Sequence, residues 1–288
     1  MVDNIEYQQI DLSAWKQVGE GGNGKTYVSD AEPGVILKVN GERLSTEQAV
    51  RREFEVSRAV ASLGLPVPRM LRMVQVGEAY GTVAELIKGK KSLSRICCDE
   101  PERIPEMAKL LCAKGKEMFA TPCNTEVFPS RKEQVLRAVE GATFLSRKMR
   151  ARLRSFAESI PECRNCVHGD FQMGNLIVSG GQCYWIDLDR FAWGDPMFDI
   201  AHLFMLCNVY AKMKQARGYF HMTEAQLREF WDAFAREYTG QEDHTDFDAL
   251  AGKFAALDVV VRTRFVKPSF LEKMFFRMHV NGLMKRYY

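Results

Sequence analysis

The chain has 288 residues, 46% hydrophobic and 27% charged, with a formal net charge of +3. That is an ordinary globular balance with room for two cores, and so small a net charge argues against a nucleic-acid groove. No run reaches the roughly 18 consecutive apolar residues of a membrane span. Residues 1–7 also lack the apolar core of a secretory signal, so a cytoplasmic protein with no membrane partner is expected. The eight cysteines have no framework spacing. Cys163 and Cys166 form a CxxC without a second pair or a histidine at zinc-site spacing, so reduced thiols are expected.

Residues 15–40 read as strand, Gly-rich turn, strand, turn, strand. Lys25–Val28 and Val35–Val39 are the β-rich pieces, joined by the turn-former Glu32-Pro33-Gly34. A helix follows, with Ser45 and Gln48 as a capping box and Gly64 just past its end. Phe54, Val56, Ala59, Val60 and Leu63 give it an apolar face. Strands are expected at Leu71–Val76 and Gly81–Leu86. A sheet with one helix makes residues 1–88 a small α+β lobe. After Lys88-Gly89-Lys90 the pattern turns helical, at 102–119 and again at 131–158. From Met197 onward it is almost wholly helical, with a capping box at Thr223 and Gln226 and Pro268 at the entry to the last helix. Residues 89–288 are therefore expected to form a larger, mostly helical lobe.

Gly19-Glu20-Gly21-Gly22-Asn23-Gly24-Lys25-Thr26 fits the P-loop pattern GxxxxGK[ST] letter for letter. A P-loop needs a helix directly after it, so that the helix N-terminus faces the phosphates. Here a β-prone run leads within a few residues into turn-formers, which leaves no room for a helix. A Gly-rich loop closing a β-hairpin over nucleotide phosphates is the better reading, with Gly19, Gly21, Gly22 and Gly24 letting backbone N–H groups approach them. Lys38 lies on the following strand and needs a carboxylate to hold it. Glu53 is the best candidate and Glu55 its competitor, pointing elsewhere on the helix.

The most informative run is His168-Gly169-Asp170, with Asn175 five residues after the Asp and Ile186-Asp187 further on. Phosphoryl transfer from ATP needs a carboxylate to take the proton of the attacking hydroxyl. It also needs oxygen ligands for the Mg²⁺ that bridges the phosphates. Asp170 suits the first role, and Asn175 and Asp187 the second. Ser179-Gly180-Gly181-Gln182 reads as a hairpin turn between two short apolar runs. Such a hairpin would carry Asn175 and Asp187 to the same end of paired strands.

These motifs resemble those of the aminoglycoside phosphotransferase and choline kinase group of small-molecule kinases. Protein kinases usually carry H-R-D and D-F-G, whereas the small-molecule branch carries H-G-D and I-D. The resemblance implies a bilobal protein-kinase-like α+β fold. It also implies that Lys38, held by Glu53, contacts the α- and β-phosphates of ATP. Backbone groups near Glu85 and Ile87 would bind adenine, and Asp199 would brace the catalytic loop, with His168 supporting it.

The expected activity is transfer of the γ-phosphate to a hydroxyl of a small molecule: a sugar, an amino alcohol or an antibiotic-like acceptor. The alternatives are a non-catalytic nucleotide-binding module and a protein kinase. The second is the weaker, since barely a dozen residues separate Asp187 from the helix after Asp199. Acidity is concentrated only in Glu242, Asp243, Asp246 and Asp248, while aromatic residues are plentiful: Trp193, Tyr210, Tyr219, Phe220, Trp231, Phe275 and Phe276, most of them read as core. A polycationic acceptor is therefore not expected. Asp189 and Asp195 read equally as acceptor-facing groups or solvated loop acids. Sequence alone leaves the oligomeric state open.

Overall fold

Alternating apolar residues before residue 90 build one sheet. The structure, a computed structural model, describes residues 7–21, 24–41, 46–264 and 268–288. Its first strands are β1 (Gln8–Gln9), β2 (Lys16–Gly21), β3 (Gly24–Val28) and β4 (Val35–Asn40). Helix α1 (Glu47–Ser62) then leads to β5 (Met70–Val76) and β6 (Ala79–Glu85). The sheet order is β1-β5-β6-β4-β3-β2, antiparallel except where β1 runs parallel to β5. Successive strand residues face opposite sides. Leu37, Val74 and Val83 form the core on one face, while Met73 on the other meets Val50 and Phe54 of α1. Lys38, next to Leu37, consequently faces the helix. Thr46 caps α1, its Oγ1 accepting from Ala49 N at 3.2 Å. The cap expected at Ser45 falls outside the described residues. The helix starts one residue later than that reading needs, leaving Thr46 in the extended conformation that a cap requires.

The chain continues through β7 (Lys91–Ser92), α2 (Leu93–Asp99), α3 (Ile104–Ala120), α4 (Arg131–Gly141), α5 (Arg147–Ser159) and β8 (Cys166–Val167). The helical pattern read over 131–158 is thus two helices. It breaks after Gly141, and Ser146 starts α5 by accepting from Met149 N at 3.2 Å. Next come β9 (Leu176–Ser179) and β10 (Gln182–Trp185), and then β11 (Ala192–Trp193), which pairs antiparallel with β8. Gly180 and Gly181 have φ of 56° and 79°, the two positive values of the tight turn expected between β9 and β10. The remaining helices are α6 (Met197–Phe204), α7 (Lys214–Phe220), α8 (Glu224–Thr239), α9 (Thr245–Arg262) and α10 (Phe270–Tyr287), with a π-helical turn over Met205–Val209. The capping box at Thr223 and Gln226 forms.

Two units result: Met1–Lys91 with Ile177–Asp189, and Ser92–Leu176 with Arg190–Tyr288. The first unit runs to Lys91 and includes the hairpin, which the sequence reading kept with the helical part. Trp185 ties it to the first unit. Its side chain is buried, with the residue 1% exposed, and its backbone N–H donates to Pro66 O at 2.8 Å. Ser179 Oγ also donates to Lys88 O at 2.6 Å. The second unit is built on buried aromatics of α8, chiefly Phe230, Trp231 and Phe234. Burying each such ring contributes about 1.5–3 kcal/mol.

Candidate functional site

In the first unit the Gly-rich segment is a β-hairpin. Gly21 pairs with Gly24, Glu20 with Lys25, and Gly19 with Thr26. Lys25 therefore lies on a strand between two neighbours, not at a helix N-terminus, and the P-loop reading fails. Gly19 and Gly21 lie in β2 and Gly24 opens β3; Gly22 is outside the described residues. Gly24 has φ +143°, and a Cβ there would lie 2.2 Å from Val39 O. Its missing side chain thus serves the close approach of β3 and β4.

Lys38 Nζ donates to Glu53 Oε1 at 2.7 Å, and Asn40 Nδ2 donates to Glu53 Oε2 at 3.3 Å. Burial pulls the Lys38 pKa down, but Glu53, with Asp187 and Asp189, outweighs it and leaves the ammonium raised. Lys38 and Glu53 line a cavity of about 240 Å³ together with Glu85, Ile87, Trp185 and Asp187. Five residues assigned from the sequence, spread over 150 positions, thus meet in this unit. The N–H of Glu85 donates to Arg69 O at 2.9 Å, so of its backbone groups only the carbonyl is left to offer a ligand. Asp187 adopts φ 57°, a left-handed conformation uncommon outside glycine but tolerated by Asp.

In the second unit the loop 168–175 is fixed from several sides. Asp199, 1% exposed, accepts from His168 N at 2.5 Å and from Gly169 N at 2.8 Å. Burial raises its pKa, against His168, Arg131 and these two N–H groups, which lower it. His168 is fully buried, and its Nδ1 accepts from Asp170 N at 3.3 Å. Phe171, also fully buried, lies 5.3 Å from Phe119. Gly169 has φ +81°, and a Cβ on it would lie 1.9 Å from Arg131 Nη2 and 2.2 Å from Arg190 O. Arg131 itself donates to Arg190 O at 2.7 Å. Asp195, read as loop acid or acceptor contact, accepts from Met197 N at 2.8 Å at the start of α6.

Asp170 is held by several side chains at once. Its Oδ1 lies 3.3 Å from Arg190 Nη1, 3.2 Å from Arg262 Nη2 and 3.2 Å from His202 Nε2. Asn175 Nδ2 donates to the Asp170 carbonyl at 2.8 Å and to Oδ2 at 3.2 Å. Burial would raise this carboxyl, but His202, Arg262 and Arg190 hold it far below the usual carboxylate range. Behind them, Asp258 Oδ2 accepts from Arg262 Nε at 2.9 Å and lies 3.1 Å from His202 Nδ1. Asp258 is likewise lowered: Arg262 and His202 overcome the effect of burial.

Arg131, Arg190, His202, Asp258 and Arg262 were not singled out in the sequence. A signal existed for four of them. His202 follows Asp199 by three positions, Arg262 follows Asp258 by four, and Arg190 follows Asp187 by three, the spacings at which charged neighbours share a helical face or turn. Asp170, Gln172, Arg190, His202 and Arg262 line a cavity of about 420 Å³. The lining also includes Tyr210, Tyr219, Phe220, Phe275 and Phe276. The acidic segment 241–248 contributes nothing to it. Asp248 accepts from Trp231 Nε1 at 2.9 Å, and Asp243 accepts from Thr245.

The profile of the phosphotransferase enzyme family matches residues 14–238. Among curated proteins, acyl-CoA dehydrogenase family member 11 of Rattus norvegicus is 25% identical over 189 residues, 58% of this chain and 24% of that protein. The Homo sapiens protein is 24% identical over 200 residues, 62% of this chain and 25% of its own length. The chain spans about a quarter of the length of these relatives. Among solved structures, a thermostable mutant of aminoglycoside phosphotransferase APH(4)-Ia, in ternary complex with ADP and hygromycin B, superposes with a TM-score of 0.60 at 19% identity. That match covers 95% of this chain and 94% of the other. A choline/ethanolamine kinase family protein from Mesorhizobium loti gives 0.57 at 16% identity, over 94% and 86%. Amicoumacin kinase hAmiN in complex with AMP-PNP, Ca²⁺ and Ami gives 0.57 at 12%, over 97% and 90%. The fold is the α+β, kinase-like fold of these proteins, with a β-sheet N-terminal region and a helical remainder. With a match running from residue 14 to residue 238, the chain belongs to the phosphotransferase enzyme family.

Proposed function

We propose that this chain is an ATP- and Mg²⁺-dependent kinase moving the γ-phosphate to a hydroxyl of a small molecule: a sugar, an amino alcohol or an antibiotic-like acceptor. The observation that carries the reading is Asp170, an ionised carboxylate on a 420 Å³ cavity, fixed by three cationic or imidazole side chains and by Asn175. Related folds crystallised with ADP or AMP-PNP support the nucleotide.

The donor chemistry fits Mg²⁺, a hard cation that takes oxygen ligands. Asn175 turns its amide nitrogen to Asp170, which leaves the amide oxygen on the other side. Asp187 offers a carboxylate just past the end of β10. Asn175 and Asp187 would hold the ion, which when bound neutralises charge on the phosphates. Residues 1–88 would serve the nucleotide and residues 89–288 the acceptor. Lys38, steadied by Glu53, would hold the α- and β-phosphates. Backbone N–H groups at Gly19, Gly21, Gly22 and Gly24 would lie over them, and Glu85 and Ile87 would flank adenine. Asp199 and His168 would keep the loop in shape.

Asp170 would accept a hydrogen bond from the acceptor hydroxyl as its oxygen bonds to the γ-phosphorus and the bond to the bridging oxygen breaks. So acidic a carboxyl is a weak base. Its main contribution is to orient the hydroxyl, the proton following late in a loose transition state. ADP release from Mg–ATP with a panel of alcohols, sugars, amino alcohols and antibiotics, together with a mass gain of one phosphoryl group, tests the reading. Nucleotide binding without transfer to any of them would favour a non-catalytic module.

A further inference from the structure

We propose that the acceptor is an anionic hydroxy compound, with a carboxylate or phosphate close to the reacting hydroxyl and an apolar or aromatic body. This rests on the kinase reading above and narrows it. The polar wall of the 420 Å³ cavity is made of donors. Asp170 is the only carboxylate among its described lining residues, and both its oxygens already have partners. Arg262 uses Nε on Asp258 and Nη2 on Asp170, and its Nη1 takes part in neither bond. Its side chain is 21% exposed, and that of Arg190 is 22% exposed. Gln172 Oε1 accepts from Gly174 N at 2.6 Å, which leaves its Nε2, a donor. Burial pushes the Tyr210 phenol up to about 12, so it stays neutral and able to donate. Asp258 is only 8% exposed and turned to Arg262 and His202.

A ligand ammonium placed here meets guanidinium edges, and the Asp170 carboxylate is largely neutralised, its Oδ1 by Arg190, Arg262 and His202, leaving Oδ2 to take the reacting hydroxyl beside Asn175. A ligand carboxylate or phosphate gains charge-assisted hydrogen bonds that a neutral isostere lacks. Such bonds are worth about a tenfold or larger gain in affinity. The rings of Tyr210, Phe220, Phe275 and Phe276 in the same lining suit a ring or another apolar body.

Three hydroxyl compounds of similar shape, each with its hydroxyl on the same carbon, isolate the charge: phenyllactate, phenyllactamide and 1-amino-3-phenylpropan-2-ol. Their dissociation constants are measured by calorimetry on the full chain with Mg–AMP-PNP, and their turnover with Mg–ATP. Phenyllactate should bind at least about tenfold more tightly than the amide, with the amine weakest. A phosphorylated analogue, phenylpropanediol monophosphate, separates a phosphate preference from a carboxylate preference. Arg262→Gln should erase the advantage of the anion, whereas Lys38→Ala should keep it. Equal or reversed ranking on the wild-type chain, or no binding by any of these compounds, overturns the proposal whether or not the Arg262 variant folds. Failure of the kinase reading looks different: the anion preference persists, but no acceptor gains a phosphoryl group.

Discussion

Lys38 and Asp170 are the charged centres of the two units, and they are held in different ways. Lys38 meets one carboxylate, supplied 15 positions away by the next helix. Adjacent elements set that pair: a strand residue facing α1 and a helix residue facing back. Asp170 is gripped by Arg190, His202 and Arg262, the last 92 positions away, and Asp258 ties two of these together from behind. A single ion pair can open and re-form with small motions. A network in which each member satisfies another is preorganised, so its geometry is set before a ligand arrives. On the proposed function, the contrast suits a lysine that would follow a nucleotide and a carboxylate that would orient one hydroxyl.

Substitution at the centre of the network should give the largest effect. Asp170→Asn should leave nucleotide binding nearly intact and cut turnover by about 10²–10⁴-fold. Near wild-type turnover on the true acceptor would remove Asp170 from the chemistry. Asp187→Ala should also lose activity, read at saturating Mg²⁺.

The pair in the first unit is tested by ranking two lysines. Lys38→Ala should nearly abolish transfer, while Lys25→Ala on β3 should cost less than about tenfold. The reverse order in steady-state kinetics would restore a P-loop role to Lys25.

Stability should also separate the two regions. Asp258→Ala leaves Arg262 facing one carboxylate instead of two, and breaking a largely buried ion pair costs about 3 kcal/mol. Urea unfolding would measure it, and a loss under about 1 kcal/mol would mean that the network relaxes freely.

The same network predicts a pH dependence. Asp170 and Asp258 are both lowered in the folded chain. As pH falls below about 3.9, the ordinary Asp value, the unfolded chain takes up protons first. Their contribution is therefore complete at neutral pH and declines on acidification. Asp199, raised by burial, runs the other way. The stability gap between wild type and Asp258→Asn should narrow as pH drops below about 4, and a gap that is constant with pH would contradict the lowered carboxyl.

The smallest effect should come from the competitor carboxylate. Glu55→Gln should change stability and activity little, within about 0.5 kcal/mol. Glu53→Gln should impair transfer because Lys38 loses its partner. Matching effects from the two variants would dissolve the pairing.

What could be read from the sequence followed the same division. The turn at Gly180 and Gly181, the hairpin at Gly21 and Gly24, and the Lys38–Glu53 pair all arise from local alternation and from one strand-to-helix step. Periodicity predicts those directly. Arg131, Arg190, His202 and Arg262 come from α4, the loop after Asp189, α6 and α9, and only tertiary packing brings them to one loop. The hairpin of β9 and β10 was legible as a hairpin. Its grouping with the first unit was not, because that depends on Trp185 reaching Pro66 across more than a hundred residues. The break between α4 and α5 was missed for a milder reason: a helical apolar rhythm continues across Gly141, while Ser146 restarts the helix.

Gly169 also limits how this chain can change over evolutionary time. Protein kinases usually carry arginine between the His and the Asp of this motif. Here any side chain at 169 would collide with Arg131 from α4 and with the carbonyl of Arg190. One obstacle is a side chain that a second substitution could shorten; the other is backbone, which no substitution removes. A single step from Gly169 to arginine is therefore closed, and even the paired change with Arg131→Ala needs the loop around Arg190 to move. The glycine and arginine forms of the motif are separated by a conformational rearrangement as well as by codons. A saturation library at position 169 should return glycine alone, in either background.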